Sequence, residues 1–391
     1  MSKKLKILVS IPSGFCFGLQ HVSIDLFDAC KSEIEPHFLL SRWSNGDFES
    51  LLEKKHFAYT YSWLGMFSRK LDIKNLKMSA EALLKIPVLY FDYINLIRRE
   101  KPNVLFFANH HELILLLPLL WFIKIPIVCH MHDPAPSIRF QKYTFGCYEK
   151  VIKKFIAISD NVKVRLIELG CTVNKIAVVH NGINVKPLEP EFMIRKNEFS
   201  SAANWSDNVF IIGITGQMTE TKGHEDVLQA FENAYKTNRQ LRLVFGGKQL
   251  QPLYDKLKSE IEAKKLSSVV YFSGWLSDVD LFYRNVDVVI LASRHDEGYG
   301  LVVAEAMAAC RPVVITRSGG AVEIVEHNTS GIVVEKRDVA AMSDAILKYA
   351  ENKSFYQSIV NNGRIRVEQH FSIDVAAVKF TNVLKSVSIN N

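Results

Sequence analysis

The chain has only six cysteines in 391 residues, and Cys16, Cys30, Cys129, Cys147, Cys171 and Cys310 are scattered. No C-x-x-C pair or His/Cys ligand cluster occurs, which argues against a zinc module, a dithiol redox motif or a disulfide framework. Reduced thiols in a cytoplasmic protein are the expectation. The start, MSKKLKILVS, holds a basic cluster but too short an apolar run for a signal peptide, and it reads as a first buried strand. The most apolar window, residues 113–128, is broken by Lys124 and two prolines. It falls short of the roughly 20 residues that span a bilayer and predicts a buried helix followed by a core strand. The glycines Gly14 and Gly18 of the loop SIPSGFCFG do not make G-x-G-x-x-G, so dinucleotide redox chemistry is not supported. No D-x-D metal motif stands at a strand end, and neither a metal nor a resident cofactor is expected. Without an RNP, KH or zinc-finger signature, nucleic acid is not an expected partner.

What is present is an ordinary globular balance, 48% hydrophobic and 23% charged, with its charge unevenly placed. Residues 1–185 carry 24 Lys and Arg against 16 Asp and Glu, a net +8. Residues 186–391 carry 24 against 25, a net −1. A basic amino-terminal half suits an anionic partner such as a lipid leaflet or a phosphorylated acceptor. A solvated basic surface is the plain alternative. Residues 59–77, YTYSWLGMFSRKLDIKNLK, are aromatic and then basic, and would lie against a membrane interface or line an acceptor site.

Short apolar runs alternate with helix-length stretches. Strands are predicted at 7–10, 104–107, 125–130, 155–159 and 176–179, then at 210–214, 241–245, 269–272, 286–291, 312–315 and 332–334. Such alternation makes parallel sheets covered on both faces, and the series is too long for one small sheet. It breaks at residues 186–207, a stretch with two prolines and no clear period that reads as a linker. The expected organisation is an α/β chain with one Rossmann-like domain over 1–185 and a second over 208–370. A final helix within 371–391 would pack back on the first. Ligands of open parallel sheets bind at the carboxyl ends of the strands, so chemistry should lie just after each strand.

The strongest such signal is Glu297-Gly298-Tyr299-Gly300-Leu301, followed by a helix that carries Glu305. Two carboxylates are thus separated by seven residues across a loop-to-helix junction. The glycines let backbone approach a ligand, and the helix start offers free N–H groups to a phosphate. Glu305 is placed to take the hydroxyls of a ribose and Glu297 to face a sugar. A second signal, Gly213-Ile214-Thr215-Gly216-Gln217 with Lys222, follows a strand and suits a diphosphate held by backbone amides and one ammonium. A third, His130-Met131-His132-Asp133-Pro134, ends a strand, and either histidine could donate a hydrogen bond or carry charge near neutral pH. His-x-His is also a possible metal pair, but no third ligand is near in sequence. Asn181-Gly182 marks a turn.

Together these pieces resemble glycosyltransferase family 4, the retaining GT-B enzymes. The resemblance rests on HNGI at 180, GQMTETKGHEDVLQAF at 216, SGWLSDVDLFYRNVDVVILAS at 273, the E-x7-E unit at 297, PVVITRSGGAVEIV at 312 and GIVV at 331. It implies two Rossmann-like domains with parallel sheets facing across a cleft, and a hexosyltransferase activity with a UDP- or GDP-sugar as co-substrate. By resemblance Glu305 would bind the donor ribose, Glu297 the transferred sugar and Lys222 the departing diphosphate. The amides of Gly300 and Leu301 would contact that diphosphate, Gly14 would belong to the glycine loop near the phosphates, and His132 would line the reacting sugar. Glu323 matches a glutamate common after the Gly-Gly turn. The family usually has Arg where this chain has Gln217, which brings neither charge nor a bidentate fork, and Arg294 is the basic group that could substitute. A glycan or lipid-linked acceptor of polysaccharide or lipopolysaccharide assembly, met at the inner face of the cytoplasmic membrane, follows from charge asymmetry and family habit. The alternatives are a sugar-nucleotide epimerase or hydrolase on the same fold, or a non-catalytic sugar-nucleotide-binding subunit.

Overall fold

The computed structural model describes residues 4–11, 18–44, 46–64, 73–132, 139–187, 195–275 and 278–388. Its chain forms two units, Met1–Asn184 with Ile373–Asn391, and Val185–Ser372. In the first, β1 (Leu5–Ser10), β2 (Ile34–Ser41), β3 (Ala58–Ser62), β4 (Val104–Phe107), β5 (Ile127–Met131), β6 (Lys154–Ala157) and β7 (Ile176–Val178) make one sheet. Its order is β3-β2-β1-β4-β5-β6-β7 and every pairing is parallel. In the second, β8 (Phe210–Thr215), β9 (Leu241–Gly246), β10 (Val270–Gly274), β11 (Val288–Leu291), β12 (Val313–Thr316) and β13 (Ile332–Val334) follow the order β10-β9-β8-β11-β12-β13, again all parallel.

Strands covered by helices on both faces have no solvent side, so they read as unbroken apolar runs rather than alternating ones. VLFF, VVIL, VVIT and IVV are of this kind, and all four are fully buried. Two strands of the first sheet carry no such run. β2 begins IEPH before its apolar half, and β3, AYTYS, is an edge strand left partly exposed. An edge strand packs less of its surface and tolerates polar residues, which is why β3 is not legible as a core run, while in interior β2 the polar start Glu35-Pro36-His37 shortens the apolar run.

The closing helix Ile373–Ser388 belongs to the first unit. Its Phe380 meets Phe27 and Phe106 edge-on at 5.4 and 5.5 Å, and the Cys30 thiol lies 3.6 Å from the carbonyl of Ala377. Lys385 pairs with Glu33 at the rim. The stretch read as a linker is not all free chain. Residues 198–202 form a short helix, and the Asn285 side-chain oxygen accepts from the N–H groups of Glu198 and Phe199 at 2.8 and 3.3 Å. Buried Phe199 sits 5.9 Å from Phe282, an apolar anchor that a period search over so few residues cannot reveal.

The sheet order fixes where a ligand can sit. From β8 the chain moves to β9 on one side and later returns to β11 on the other, so the direction of winding reverses between β8 and β11. Loops leaving such a switch point diverge and open a crevice at the carboxyl ends of the two strands. In the first unit the same reversal lies between β1 and β4.

Candidate active site

Loop 216–223 leaves β8 and loop 292–300 leaves β11, and the two touch. The N–H of Arg294 donates to the carbonyl of Thr221 at 2.8 Å. Gly223, with φ of +69°, lets them close, because a Cβ there would fall 2.1 Å from the carbonyl oxygen of Ala292. This contact brings two sequence-predicted residues together across 75 positions: the Lys222 ammonium donates to Glu297 Oε1 at 2.6 Å. The Ser293 hydroxyl donates to the same oxygen. Lys222 and Glu297 are half-buried, and Ser293 is buried. Glu297 is further held through its carbonyl, which accepts from the N–H of Gly320 at 2.8 Å.

Glu305 lies on the next helix, Leu301–Ala308, which starts directly after Gly300. The hydroxyl of Tyr283 donates to Glu305 Oε2 at 2.7 Å. Burial pushes the Glu305 carboxyl above its ordinary value, and the Tyr283 hydrogen bond opposes that rise. Tyr299 between the two glycines is buried against Phe371, with ring centroids 6.4 Å apart, so its side chain packs rather than facing the crevice. Gly298, Gly300 and Leu301 remain half-exposed, as does Gly216, while the Gln217 side chain is exposed.

Arg294 is strongly committed elsewhere. Its Nε and Nη2 donate to the two oxygens of Asp226 at 2.8 and 2.6 Å, and Nη1 donates to Glu225 at 2.8 Å. Those two carboxylates raise its pKa above the ordinary value. A bidentate pair of this kind is strong and directional, so the charge that could make up for Gln217 is already neutralised. Sequence reasoning gives no hint of Asp226, Tyr283 or Ser293. All three fall within the quoted stretches at 216 and 273, Ser293 in the same loop as Glu297, but nothing in their spacing marks them as site residues.

The first unit presents a different set. His132 and His130 end β5, with His132 Nε2 3.1 Å from His130 Nδ1 and the rings 4.1 Å apart. Burial lowers His132 to about 4 and drives His130 well below its usual range. Both are therefore neutral at neutral pH, so the expectation that one carries charge there gives way to a neutral donor–acceptor pair. Gly14, Asp133 and Pro134 lie outside the described residues. Glu323 stands in the short helix Ala321–Ile324, half-buried.

Known families and structures resemble this chain. A model described as glycosyl transferases group 1 matches residues 195–366, and one described as glycosyltransferase family 4 matches residues 69–186. A capsular polysaccharide biosynthesis glycosyltransferase of Staphylococcus aureus is 30% identical over 226 residues, covering 56% of this chain and 58% of that protein. A lipopolysaccharide core biosynthesis mannosyltransferase of Rhizobium leguminosarum is 25% identical over 217 residues, covering 55% and 60%. The chain thus spans about three fifths of the length of these curated relatives. Among solved structures, HepE of Anabaena in complex with UDP has a TM-score of 0.81 at 20% identity, covering 98% of this chain and 100% of that one. A glycosyltransferase from Rickettsia africae also reaches 0.81, at 21% identity, covering 99% and 100%.

Proposed function

The chain belongs to the glycosyltransferases that the group 1 and family 4 models describe and has their GT-B fold, and from that premise we propose that it moves a sugar from a nucleoside diphosphate sugar to a hydroxyl. The observation that carries this reading is the meeting of Lys222 and Glu297, 2.6 Å apart, beside the start of the helix that bears Glu305. That crevice offers an ammonium and helix-start amides to a diphosphate, and carboxylates to ribose and sugar hydroxyls. HepE is described in complex with UDP and with UDP-glucose, which favours a UDP-sugar here.

In the reaction proposed, the acceptor oxygen bonds to the anomeric carbon as the bond from that carbon to the diphosphate oxygen breaks. The electron pair leaves with the diphosphate, which also takes the acceptor proton. Configuration is retained and no metal takes part. Lys222 would exchange its bond to Glu297 for one to the departing oxygens, where charge develops. The acceptor would be a glycan or lipid-linked sugar of capsule or lipopolysaccharide assembly, the tasks named for the relatives in Staphylococcus and Rhizobium, bound by the first unit.

A peripheral membrane role at the cytoplasmic face fits that unit. No helix among the described residues is long and apolar enough to cross a membrane. Yet Leu84, Phe91, Trp121 and Phe122 are 79, 68, 57 and 84% exposed, on or just after the helices Ile73–Leu84, Ile86–Glu100 and Leu113–Leu120, in the half of the chain that carries the net positive charge. The Tyr90 hydroxyl ties the helix Ile86–Glu100 to Leu113–Leu120 by donating to the carbonyl of Leu115 at 2.9 Å. Large exposed apolar side chains on a basic unit suit an anionic leaflet. Flotation with phosphatidylglycerol vesicles, lost in Phe91→Ser/Phe122→Ser, is the expected result; no flotation of the wild type would remove the membrane from the proposal.

The donor reading is tested by thermal shift against UDP, GDP, ADP and their sugars, since a ligand of the native state raises apparent stability. One of the series should stabilise the protein and be consumed only when an acceptor extract is present. Turnover without acceptor would favour the epimerase or hydrolase instead. Binding without transfer to any acceptor pool would favour a non-catalytic subunit, the reading for which neutral Gln217 speaks.

A further inference from the structure

A nucleoside diphosphate carries two or more negative charges, and the crevice outside β8 and β11 holds little uncommitted positive charge to meet them. Lys222 is bonded to Glu297 and Arg294 to Asp226 and Glu225. Gln217 has no charge to give. In the loops that follow β8, β9, β10 and β11, the one Lys or Arg with no carboxylate partner among the described residues is Lys248.

Its position is set by the sheet. β8 and β9 pair in parallel with Thr215 opposite Gly246, an offset of 246 − 215 = 31. Two further bonds carry that register past the strand ends, Gly216 N–H to Gly246 carbonyl at 3.1 Å and Met218 N–H to Lys248 carbonyl at 3.0 Å. The same offset, 248 − 217 = 31, sets Lys248 opposite Gln217. The loop is fixed on its other side as well, where the N–H of Gly247 donates to the Gly274 carbonyl at 2.8 Å. Contact between the two loops is so close that a Cβ on Gly247, whose φ is +107°, would fall 2.1 Å from the Gly216 carbonyl oxygen. Lys248 thus leaves from a rigid base, its side chain exposed, one strand spacing of about 4.8 Å from Gln217. A flexible four-carbon stem spans such a gap readily.

We propose that Lys248 is a donor-binding residue that supplies to the diphosphate the positive charge position 217 lacks. This rests on the donor site proposed above. Binding of UDP, GDP and ADP, and of the matching monophosphates, is measured for the wild type, Lys248→Ala, Gln217→Arg/Lys248→Ala and Glu305→Ala. Lys248 is exposed, so each variant at that position should melt as the wild type does without ligand. For the diphosphate that the wild type prefers, Lys248→Ala should bind about tenfold more weakly, about 1.4 kcal/mol, with the monophosphate changed far less. Arginine at 217 should restore the loss, a rescue that a merely structural role for Lys248 would not allow. Wild-type diphosphate affinity in Lys248→Ala, in the assay where Glu305→Ala loses binding, overturns the assignment and leaves the donor site standing. Loss without rescue by arginine overturns it too. A wild type that holds none of the three diphosphates sinks the donor site and this inference together.

Discussion

The two units share a winding pattern, and each places polar side chains at the carboxyl ends of central strands, yet they treat charge in opposite ways. In the second unit the charged groups after β8 and β11 are paired with one another, Lys222 with Glu297 and Arg294 with Asp226. In the first unit the groups after β4 and β5 are buried and lose their charge. His130 and His132 are held neutral. Glu112, 2% exposed and with Oε2 lacking a hydrogen-bond partner among the described residues, is pushed up to about 8 by burial. Desolvation penalises the charged form of either kind of group, so burial protonates the acid and deprotonates the base. One unit sets cations and carboxylates side by side at its crevice. The other offers uncharged hydrogen-bonding groups, which suit hydroxyls.

That contrast can be broken at several points. The largest effect should come from removing charge where charge is used. Glu305→Ala and Lys222→Ala should each lower kcat/KM for transfer by orders of magnitude while circular dichroism stays as in the wild type. Wild-type turnover in either would remove the second unit's role.

The next effect lies in the first unit and is one of stability. Glu112 has its folded pKa raised from 4.5 to about 8, so its contribution is fully present below pH 4.5 and is lost as pH rises from there towards 8. Glu112→Gln should abolish that slope, gaining about 3 kcal/mol on the wild type between pH 5 and 8 in urea denaturation. Parallel curves for the two proteins would mean that Glu112 is hydrated. The buried histidines pull the other way: with His132 lowered from 6.5 to about 4, stability is lost as pH falls through that window. Transfer rates should accordingly show no titration near pH 6.5 from His132.

The smallest effect sharpens how the second unit holds its carboxylates. Tyr283→Phe removes the 2.7 Å hydrogen bond to Glu305 without changing shape, and nucleotide affinity should fall about tenfold with the melting temperature little altered. Unchanged affinity would mean that helix packing alone positions Glu305.

Much of the fold is legible in the residues themselves. The strands VLFF, VVIL, VVIT and IVV announce themselves because a strand buried on both faces has no polar side to hide. The Glu297 and Glu305 spacing and the glycine-rich turns follow strands directly, and a strand end is where an open parallel sheet can be reached. β2 and β3 escape such a reading because Pro36, His37 and the tyrosines of AYTYS carry an edge-like composition. Helix 198–202 escapes it because a single buried Phe199 has no period. Arg294 looks like a spare cation in sequence, and only its 2.6 Å contact with Asp226, 68 residues away, shows it to be occupied.

The sequence by itself determined the α/β alternation, the uneven charge and which residue types stand after which strands, because these depend on neighbours along the chain. Tertiary structure decided which charges are spent and which remain. It paired Lys222 with Glu297, gave Glu305 its tyrosine, stripped His132 and Glu112 of charge and set Lys248 opposite Gln217. The reason is physical: whether an ionisable group stays charged depends on its solvent and its partners in space, and both are set by sheet order and loop contact rather than by distance along the chain.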